Sequence, residues 1–238
     1  MTGFYEILSP AEAEIEVKKS RFLCHLAPVR TEDEAREVID ECRSTHPKAR
    51  HHCSAFVLTN SLTADAAGVA IKAHQGTETT SRGMADITQG QASTHVIMRS
   101  NDDGEPSGTA GKPIMDVLTG HDLRNIIAVV TRYFGGTKLG AGGLTRAYGN
   151  ATSAGIEAAT VTRRALRVPM SITVDYSAAE ATLRYAEHHG WPVIGSSWGA
   201  TVRHVLGVPP EEVEVCMEAL AAISAGTAEI DIGAARFL

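Results

Sequence analysis

The chain has 238 residues, of which 43% are hydrophobic and 21% are charged, and its formal net charge is −6. This length suits one or two domains with a full core, and the composition excludes collagen-like, disulfide-rich and generally disordered chains. No apolar run reaches membrane length, and the first 22 residues are too polar for a signal peptide. The sequence therefore predicts a cytoplasmic protein with no membrane association.

The charge is unevenly distributed. Acidic and basic residues balance over residues 1–167, whereas residues 168–238 hold nine acidic and three basic residues. Because like charges repel a phosphate backbone, a nucleic-acid surface is expected only in the first part. The four cysteines show no C-x-x-C spacing and the ten histidines form no strong zinc pattern, so we expect reduced thiols, no metal and no cofactor.

The first thirty residues predict strands around Ile15 and Val17 and from Arg21 to Leu26. Thr31 and Glu34 fit a capping box, and apolar residues at helical spacing follow until Pro47, which predicts a helix. Farther along this part, the patterns predict strands at 55–58, 95–98 and 126–130 and helices at 113–120 and 144–158. Residues 60–94 are polar with weak periodicity, which predicts a loop insertion.

His51 and His52 precede the strand at 55–58. Adjacent residues on a strand point to opposite faces, so the two cannot hold one metal from an ideal strand. A structural pair and a pair with one site-lining histidine both fit this pattern.

Three carboxylates, Asp102, Asp103 and Glu105, lie within four residues around the turn signal Asp103-Gly104. They fit either turn and cap formers or ligands of Mg²⁺ and acid–base groups. Ser107, Thr109 and Lys112 add hydroxyls and a cation nearby.

The central stretch, 125–158, reads as a strand, a glycine cluster and a helix. Between Thr131 and Gly149 lie Arg132, Lys138 and Arg146 with no carboxylate, which favours an anion site formed by loop N–H groups and a helix N-terminus. A tight connection with solvated cations is the alternative. The glycines expected to take part are Gly136, Gly140, Gly142 and Gly143. Thr145 replaces the last glycine of G-x-G-x-x-G, which argues against a dinucleotide-binding motif.

Arg163 to Arg167 is predicted to be a connector, and residues 168–238 are predicted to form a separate domain. The predicted elements are strands at 168–174, 191–194, 201–206 and 228–232, helices from 177 to 189 and from 209 onward, and a turn at 195–197. The order β-α-β-β-α-β is typical of a ferredoxin-like domain.

Three motifs resemble the IMPACT/YigZ family: Asp102 to Gly111, Arg132 to Gly140, and Gly142 to Tyr148. The lead-in at 19–22 and the segment His51-His52-Cys53 also fit. The resemblance implies an α+β fold of two domains. Residues 1–167 would be like the second domain of the fifth small-subunit ribosomal protein, which is related to GHMP kinases and the translocation factor EF-G. Residues 168–238 would resemble the last domain of EF-G.

The resemblance also implies a function. Eukaryotic relatives regulate translation through a protein partner with a further N-terminal domain that is absent here, and a nucleic-acid or ribosome role is the usual proposal for bacterial members. We therefore expect a cytoplasmic, translation-associated regulatory protein, without catalytic residues, that binds RNA, the ribosome or another phosphate-bearing ligand. The alternatives are a Mg²⁺-dependent enzyme acting on a nucleotide or phosphorylated small molecule, and a protein-binding regulator without nucleic acid.

The expected phosphate-binding residues are Arg132, Lys138, Arg146, Lys112, Gly136, Gly140, Gly142 and Gly143, and the expected site-lining residues are His51, His52, Asp102, Asp103, Glu105, Ser107 and Thr109.

Overall fold

The computed structural model describes residues 3–60 and 95–238, and these form two compact units that meet in sequence after Arg164. The expected α+β fold with two such units is confirmed. The predicted insertion at 60–94 lies outside the described residues, apart from Asn60, which ends a strand.

The N-terminal unit contains a five-stranded antiparallel sheet in the order β2-β3-β6-β4-β5. Its strands are β2 (Ala11–Val17), β3 (Ser20–Pro28), β4 (His51–Asn60), β5 (His95–Asn101) and β6 (Ile126–Tyr133). β6 is central and buried on both faces, which explains its continuous run of β-branched and small residues.

The two faces of this sheet are covered unequally. Helices α2 (Gly111–Gly120) and α3 (Ala141–Ala158) pack on one face around a core that includes Phe22, Ile114 and Tyr148. Helix α1 (Glu32–Thr45) packs on the other face over β4 and β6. Thr31 caps α1 as predicted, because its Oγ1 accepts the Glu34 N–H at 3.1 Å.

Strand β1 (Gly3–Ile7), which the sequence pattern did not reveal, is held by a buried charge. Glu6 is 4% exposed and accepts hydrogen bonds from Arg30, Asn125 and Arg164. Burial acts to raise the pKa of Glu6, but these donors outweigh it, so the pKa lies below its usual value of 4.5. The carboxylate therefore joins three segments that are far apart in sequence.

The C-terminal unit begins inside β7 (Val161–Val174) and has the strand order β10-β7-β9-β8, which is ferredoxin-like. Its other strands are β8 (Val193–Trp198), β9 (Val202–Val208), β10 (Glu229–Ile232) and β11 (Arg236–Phe237). Helices α4 (Tyr176–His188) and α5 (Val213–Ile223) bury their apolar residues with β7 and β9 in a separate core.

Two local predictions in this part of the chain are wrong. The segment 163–167 belongs to the first half of β7 and is not a connector, because it pairs with β11; Arg163 is exposed there and Arg164 and Arg167 are half-buried. The predicted turn at 195–197 lies inside β8, an edge strand whose mostly exposed residues give no alternating apolar and polar pattern. In the described ranges, 3–60 and 95–238, no helix has the length and apolar character needed to cross a membrane.

Replacement of Glu6 by Gln is expected to lower the free energy of unfolding at pH 7 by about 2 kcal/mol, because hydrogen bonds to a charged group are lost. Since the folded-state pKa is lowered, this stabilisation is fully present above pH 4.5 and is lost as the pH falls below it. Urea unfolding at pH 7 and pH 3.5 measures both effects. The exposed Glu37→Gln on α1 is the control, and equal stability of Glu6→Gln and wild type at pH 7 would contradict the prediction.

Candidate functional site

Most of the predicted site residues lie at one end of the five-stranded sheet. The antiparallel register pairs Arg21 with Tyr133 and His51 with Arg132, so the starts of β3 and β4 adjoin the end of β6. β5 ends at the same place, beside Ser54. Four connections therefore meet here: the β2–β3 turn, the segment before β4, the β5–α2 loop and the β6–α3 loop.

The Asp102 carboxylate caps the N-terminus of α2. Its Oδ1 accepts the N–H groups of Ala110 and Gly111 at 3.0 and 2.8 Å, and its Oδ2 accepts the N–H of Gly108 at 2.8 Å. Burial acts to raise the pKa of Asp102, but these three donors outweigh it and hold the pKa below its usual range. An anion from this chain therefore already occupies this helix end.

Asp103 and Gly104 form the predicted turn, with φ angles of 43° and 83° and a 2.9 Å bond from Glu105 N–H to Asp102 O. The Asp103 carboxylate accepts from Arg43 at 3.0 Å and from the His52 N–H at 2.6 Å. It is thus occupied by two donors from the protein.

The side chains of His51 and His52 point to opposite faces of the sheet, as adjacent residues on a strand do. His52 is 6% exposed and its Nδ1 lies 3.0 Å from the Thr131 hydroxyl on the α1 face; burial lowers its pKa, although Asp103 opposes this. His51 is half-buried, and its Nδ1 donates to the Asp103 carbonyl at 2.9 Å. Because a carbonyl only accepts, Nε2 of a neutral His51 is an acceptor.

Arg132 is not an uncompensated cation, and the expectation that it is one is wrong. Its Nη1 donates to Glu105 Oε1 at 2.6 Å, and the two side chains are only 7% and 4% exposed. The Tyr148 hydroxyl donates to the same oxygen at 2.8 Å. The guanidinium also lies near the rings of Phe22 and Phe134, at 5.4 and 5.6 Å from their centroids.

This ion pair continues into a buried polar chain. The Cys53 thiol lies 3.0 Å from Asp102 O and 3.3 Å from the Tyr148 hydroxyl. Burial raises the pKa of Cys53 to about 12, and burial also raises the pKa of Tyr148. Both groups are therefore neutral at physiological pH and act as hydrogen-bonding groups. Arg132 Nε is buried without an acceptor in the described part of the chain.

The glycine-rich loop between β6 and α3 is shaped by close approach and by positive φ. A Cβ on Gly135 would lie 2.0 Å from the Lys19 carbonyl carbon, so only glycine fits against the β2–β3 turn. Gly140 is the N-cap of α3 with φ of 71°, and no side chain of the described residues caps this helix. In contrast to α2, the first N–H groups of α3 find no side-chain acceptor within residues 3–60 and 95–238.

Exposed cations lie in the loops at this end of the sheet and in the first turns of α3. Arg146 folds back over the first turn, since its Nη1 would lie 3.8 Å from a Cβ on Gly142, and Lys138 is exposed in the loop. Within residues 3–60 and 95–238, the cations at this end of the sheet that make no ion pair are Lys18, Lys19, Lys48, Arg50, Lys138 and Arg146. We call this set, together with the α3 N-terminus, the basic sheet end.

The remaining predicted residues contribute less. Lys112 is paired with Asp116 at 2.5 Å, Thr109 donates to Pro106 O at 2.6 Å, and Ser107 is exposed. Gly136 and Gly142 are exposed and Gly143 contacts Leu139.

The sequence patterns did not single out Lys18, Lys48, Arg50 or Phe134 as parts of a site. Phe134 is 56% exposed, whereas Tyr148 is fully buried and the Tyr133 hydroxyl is bonded to His46. One early signal was Lys19, which begins the lead-in segment 19–22 of the family resemblance.

The arrangement can attract an anion but offers little to a cation. All three predicted carboxylates are occupied by protein donors, and in the described residues no group of three acidic, histidine or cysteine side chains could hold a metal. The fold and site thus define a two-unit α+β protein with an open basic sheet end.

Comparison with known proteins identifies the family. The Impact N-terminal domain model matches residues 18–156. IMPACT family member YvyE of Bacillus subtilis is 39% identical over 74% of this chain, and the match spans 65% of YvyE. YigZ of Escherichia coli is 30% identical, with 93% of this chain and 94% of YigZ covered. The chain belongs to the IMPACT family, which confirms the resemblance.

Two solved structures were also compared. The crystal structure of a hypothetical protein aligns over 97% of both chains with 29% identity and a TM-score of 0.51. The two-domain translational regulator Yih1 aligns with 65% of this chain and 47% of its own at 24% identity, and its TM-score of 0.31 is too low to support an argument.

Removal of the Glu105 charge is expected to destabilise the protein strongly. Glu105→Gln should lower the free energy of unfolding by about 3 kcal/mol, because Arg132 is left as a buried charge without its counter-charge. Tyr148→Phe, which removes one hydrogen bond, should cost about 1 kcal/mol. Urea unfolding measures both, and the double variant Glu105→Leu/Arg132→Met should be more stable than Glu105→Gln. Wild-type stability of Glu105→Gln would show that the pair is unimportant.

Proposed function

We propose that this protein is a cytoplasmic, translation-associated regulatory protein that binds RNA, alone or in the ribosome, through the basic sheet end. The observation that carries the proposal is that, in a chain of net charge −6, six cations at one end of the sheet make no ion pair within the described residues. Lys138 precedes α3 and Arg146 folds over its first turn, which no side chain of the described residues caps. Membership of the IMPACT family supports the translational part of the proposal.

The electrostatics favour phosphate groups. Lysine ammonium groups and the Arg146 guanidinium are donors that suit phosphate oxygens, and the free N–H groups of α3 add partial positive charge. Arg132 lies beneath this surface, where its ion pair with Glu105 joins the end of β6 to the β5–α2 loop. Arg132 therefore has a positioning role in this proposal, and Lys138 and Arg146 are the contacting residues.

Phe134 favours single-stranded RNA over an isolated phosphate. It is 56% exposed beside the glycine-rich loop, and the Arg132 guanidinium lies 5.6 Å from its ring centroid. An exposed aromatic ring next to a basic groove can stack an unpaired base. The ring and the cations together match a nucleotide unit, which has a base and a phosphate.

The Mg²⁺-dependent enzyme is less well supported, because Asp102, Asp103 and Glu105 are each occupied by protein donors. A protein-binding regulator is favoured by one observation, the exposed edge strand β8 in the acidic C-terminal unit. Val193, Ile194 and Trp198 are exposed large apolar residues there, and the strand carries no charge. The protein-binding alternative is favoured if the RNA experiments below detect no binding.

The loss of two cations should reduce both the affinity and its dependence on salt. If the wild type contacts about four phosphates, its affinity for a single strand should fall roughly 50-fold between 50 and 200 mM KCl. Lys138→Ala/Arg146→Ala should lower the log–log salt slope by about 1.4, because two contacts are removed. Fluorescence anisotropy of labelled single-stranded RNA measures both slopes.

The matched control is Arg36→Ala/Arg184→Ala, which removes two arginines that are paired with acidic residues elsewhere. It should leave the slope unchanged. Equal slopes for the wild type and the Lys138→Ala/Arg146→Ala variant, or no binding by the wild type, would contradict the proposal.

Stacking is tested separately. Phe134→Leu should weaken binding of single-stranded RNA by about 1–3 kcal/mol and leave binding of inorganic polyphosphate unchanged, since polyphosphate has no base. Trp198→Leu is the control, because Trp198 is 59% exposed but lies in the other unit. Equal loss for RNA and polyphosphate would show that Phe134 supports the loop and does not stack a base.

A further inference from the structure

A recess lies between α1 and strands β2 and β3, on the face of the five-stranded sheet opposite to α2 and α3. It has a volume of about 390 Å³. Helix α1 covers β4 and β6 on this face, and the uncovered part of β2 and β3 forms one wall while α1 forms the other. We call it the α1 pocket. The residues that line it include Glu12, Glu14, Leu23, Glu41, Cys42 and Thr45.

Three carboxylates line this pocket from two sides. Glu12 and Glu14 are two residues apart on β2, so they share a face and their backbone positions are about 7 Å apart. Glu41 projects from α1 on the other wall, is exposed, and makes no ion pair in the part of the chain that the structure describes. Glu12 lies 3.0 Å from His25 Nδ1, and Glu14 binds Arg21, which leaves the three glutamates in excess over full positive charges.

The end of α1 adds negative partial charge. Thr45 is the last residue of the helix and lines the pocket, and the carbonyl end of a helix favours cations. Arg43 does not neutralise this end from within the pocket, because it is bonded to Asp103 at the basic sheet end and lies 3.6 Å from Asp40.

The lining also includes less polar side chains beside the polar groups of His25, His46 and Thr131. Leu23 is half-buried, and Cys42 is 6% exposed with a thiol that makes no hydrogen bond in the described part of the chain. Burial, together with Glu41 and Glu12, raises the pKa of Cys42 to about 11.

The chemistry of the lining favours an organic cation over a metal ion. Metal ligands must converge within about 2–3 Å of one point, and in residues 3–60 and 95–238 no group of three suitable side chains does so. Separated carboxylates with an apolar surface between them match a molecule with two separated positive ends and a hydrocarbon middle.

We propose that the α1 pocket binds a linear aliphatic diamine or polyamine. One ammonium group lies between Glu41 and the carbonyl end of α1, and the other lies at Glu12, since Glu14 is already bound by Arg21. The methylene chain packs on Leu23 and Cys42. This site is on the sheet face opposite to α2 and α3, and its occupation does not depend on RNA binding at the basic sheet end.

Isothermal titration calorimetry with 1,4-diaminobutane at low salt tests the proposal. Glu12→Gln/Glu41→Gln keeps the shape of two exposed side chains and removes their charge, so it should bind the diamine at least about tenfold more weakly. The matched control is Glu37→Gln/Glu218→Gln, which removes two exposed glutamates that do not line the pocket and should change the affinity by less than about twofold.

Two further probes separate specific recognition from general attraction. 1-Aminobutane has one ammonium group and should bind at least about tenfold more weakly than the diamine, and 1,4-butanediol should give no heat of binding. The proposal is overturned if the wild type does not bind the diamine. It is also overturned if both double variants lose affinity equally, or if the monoamine binds as tightly as the diamine.

Discussion

The buried ion pair between Arg132 and Glu105 connects the parts of the N-terminal unit that form the basic sheet end. It joins the β5–α2 loop to the end of β6, and through Tyr148 it also includes α3. Removing two charges from water is expensive, and here two bonds to Glu105 and two neighbouring aromatic rings offset that cost. The loops on either side are consequently held in place by a contact that lies beneath the surface they form.

The two helices at this end of the sheet differ in one electrostatic respect. Asp102 supplies α2 with an internal counter-charge, whereas Gly140 supplies α3 with none. Arg146 folds over the first turn of the helix that lacks the carboxylate. A net acidic chain thereby presents a local positive surface at one end of the sheet.

Local sequence patterns predicted the structural features that depend on residues close together in the sequence. The Thr31 cap, the turn at Asp103-Gly104 and the strand–glycine–helix order of the central stretch all depend on spacing within a few residues. Arg132 was misjudged because its counter-charge, Glu105, comes from another loop, and a count of charges between Thr131 and Gly149 does not include it. The first half of β7 was missed because Glu6, which binds Arg164, lies near the other end of the chain.

The close approach of Gly135 to Lys19 has a consequence for binding entropy. The two loops approach each other through their main chains at Gly135 and Lys19, and the Gly135 N–H also donates to the Ser20 hydroxyl at 3.1 Å, so the contact restricts independent movement of either loop. Freezing a mobile loop costs about 1–2 kcal/mol for each residue that is ordered. A ligand that spans the lysine turn and the glycine-rich loop meets two segments already fixed relative to each other, and therefore retains more of its contact energy as affinity.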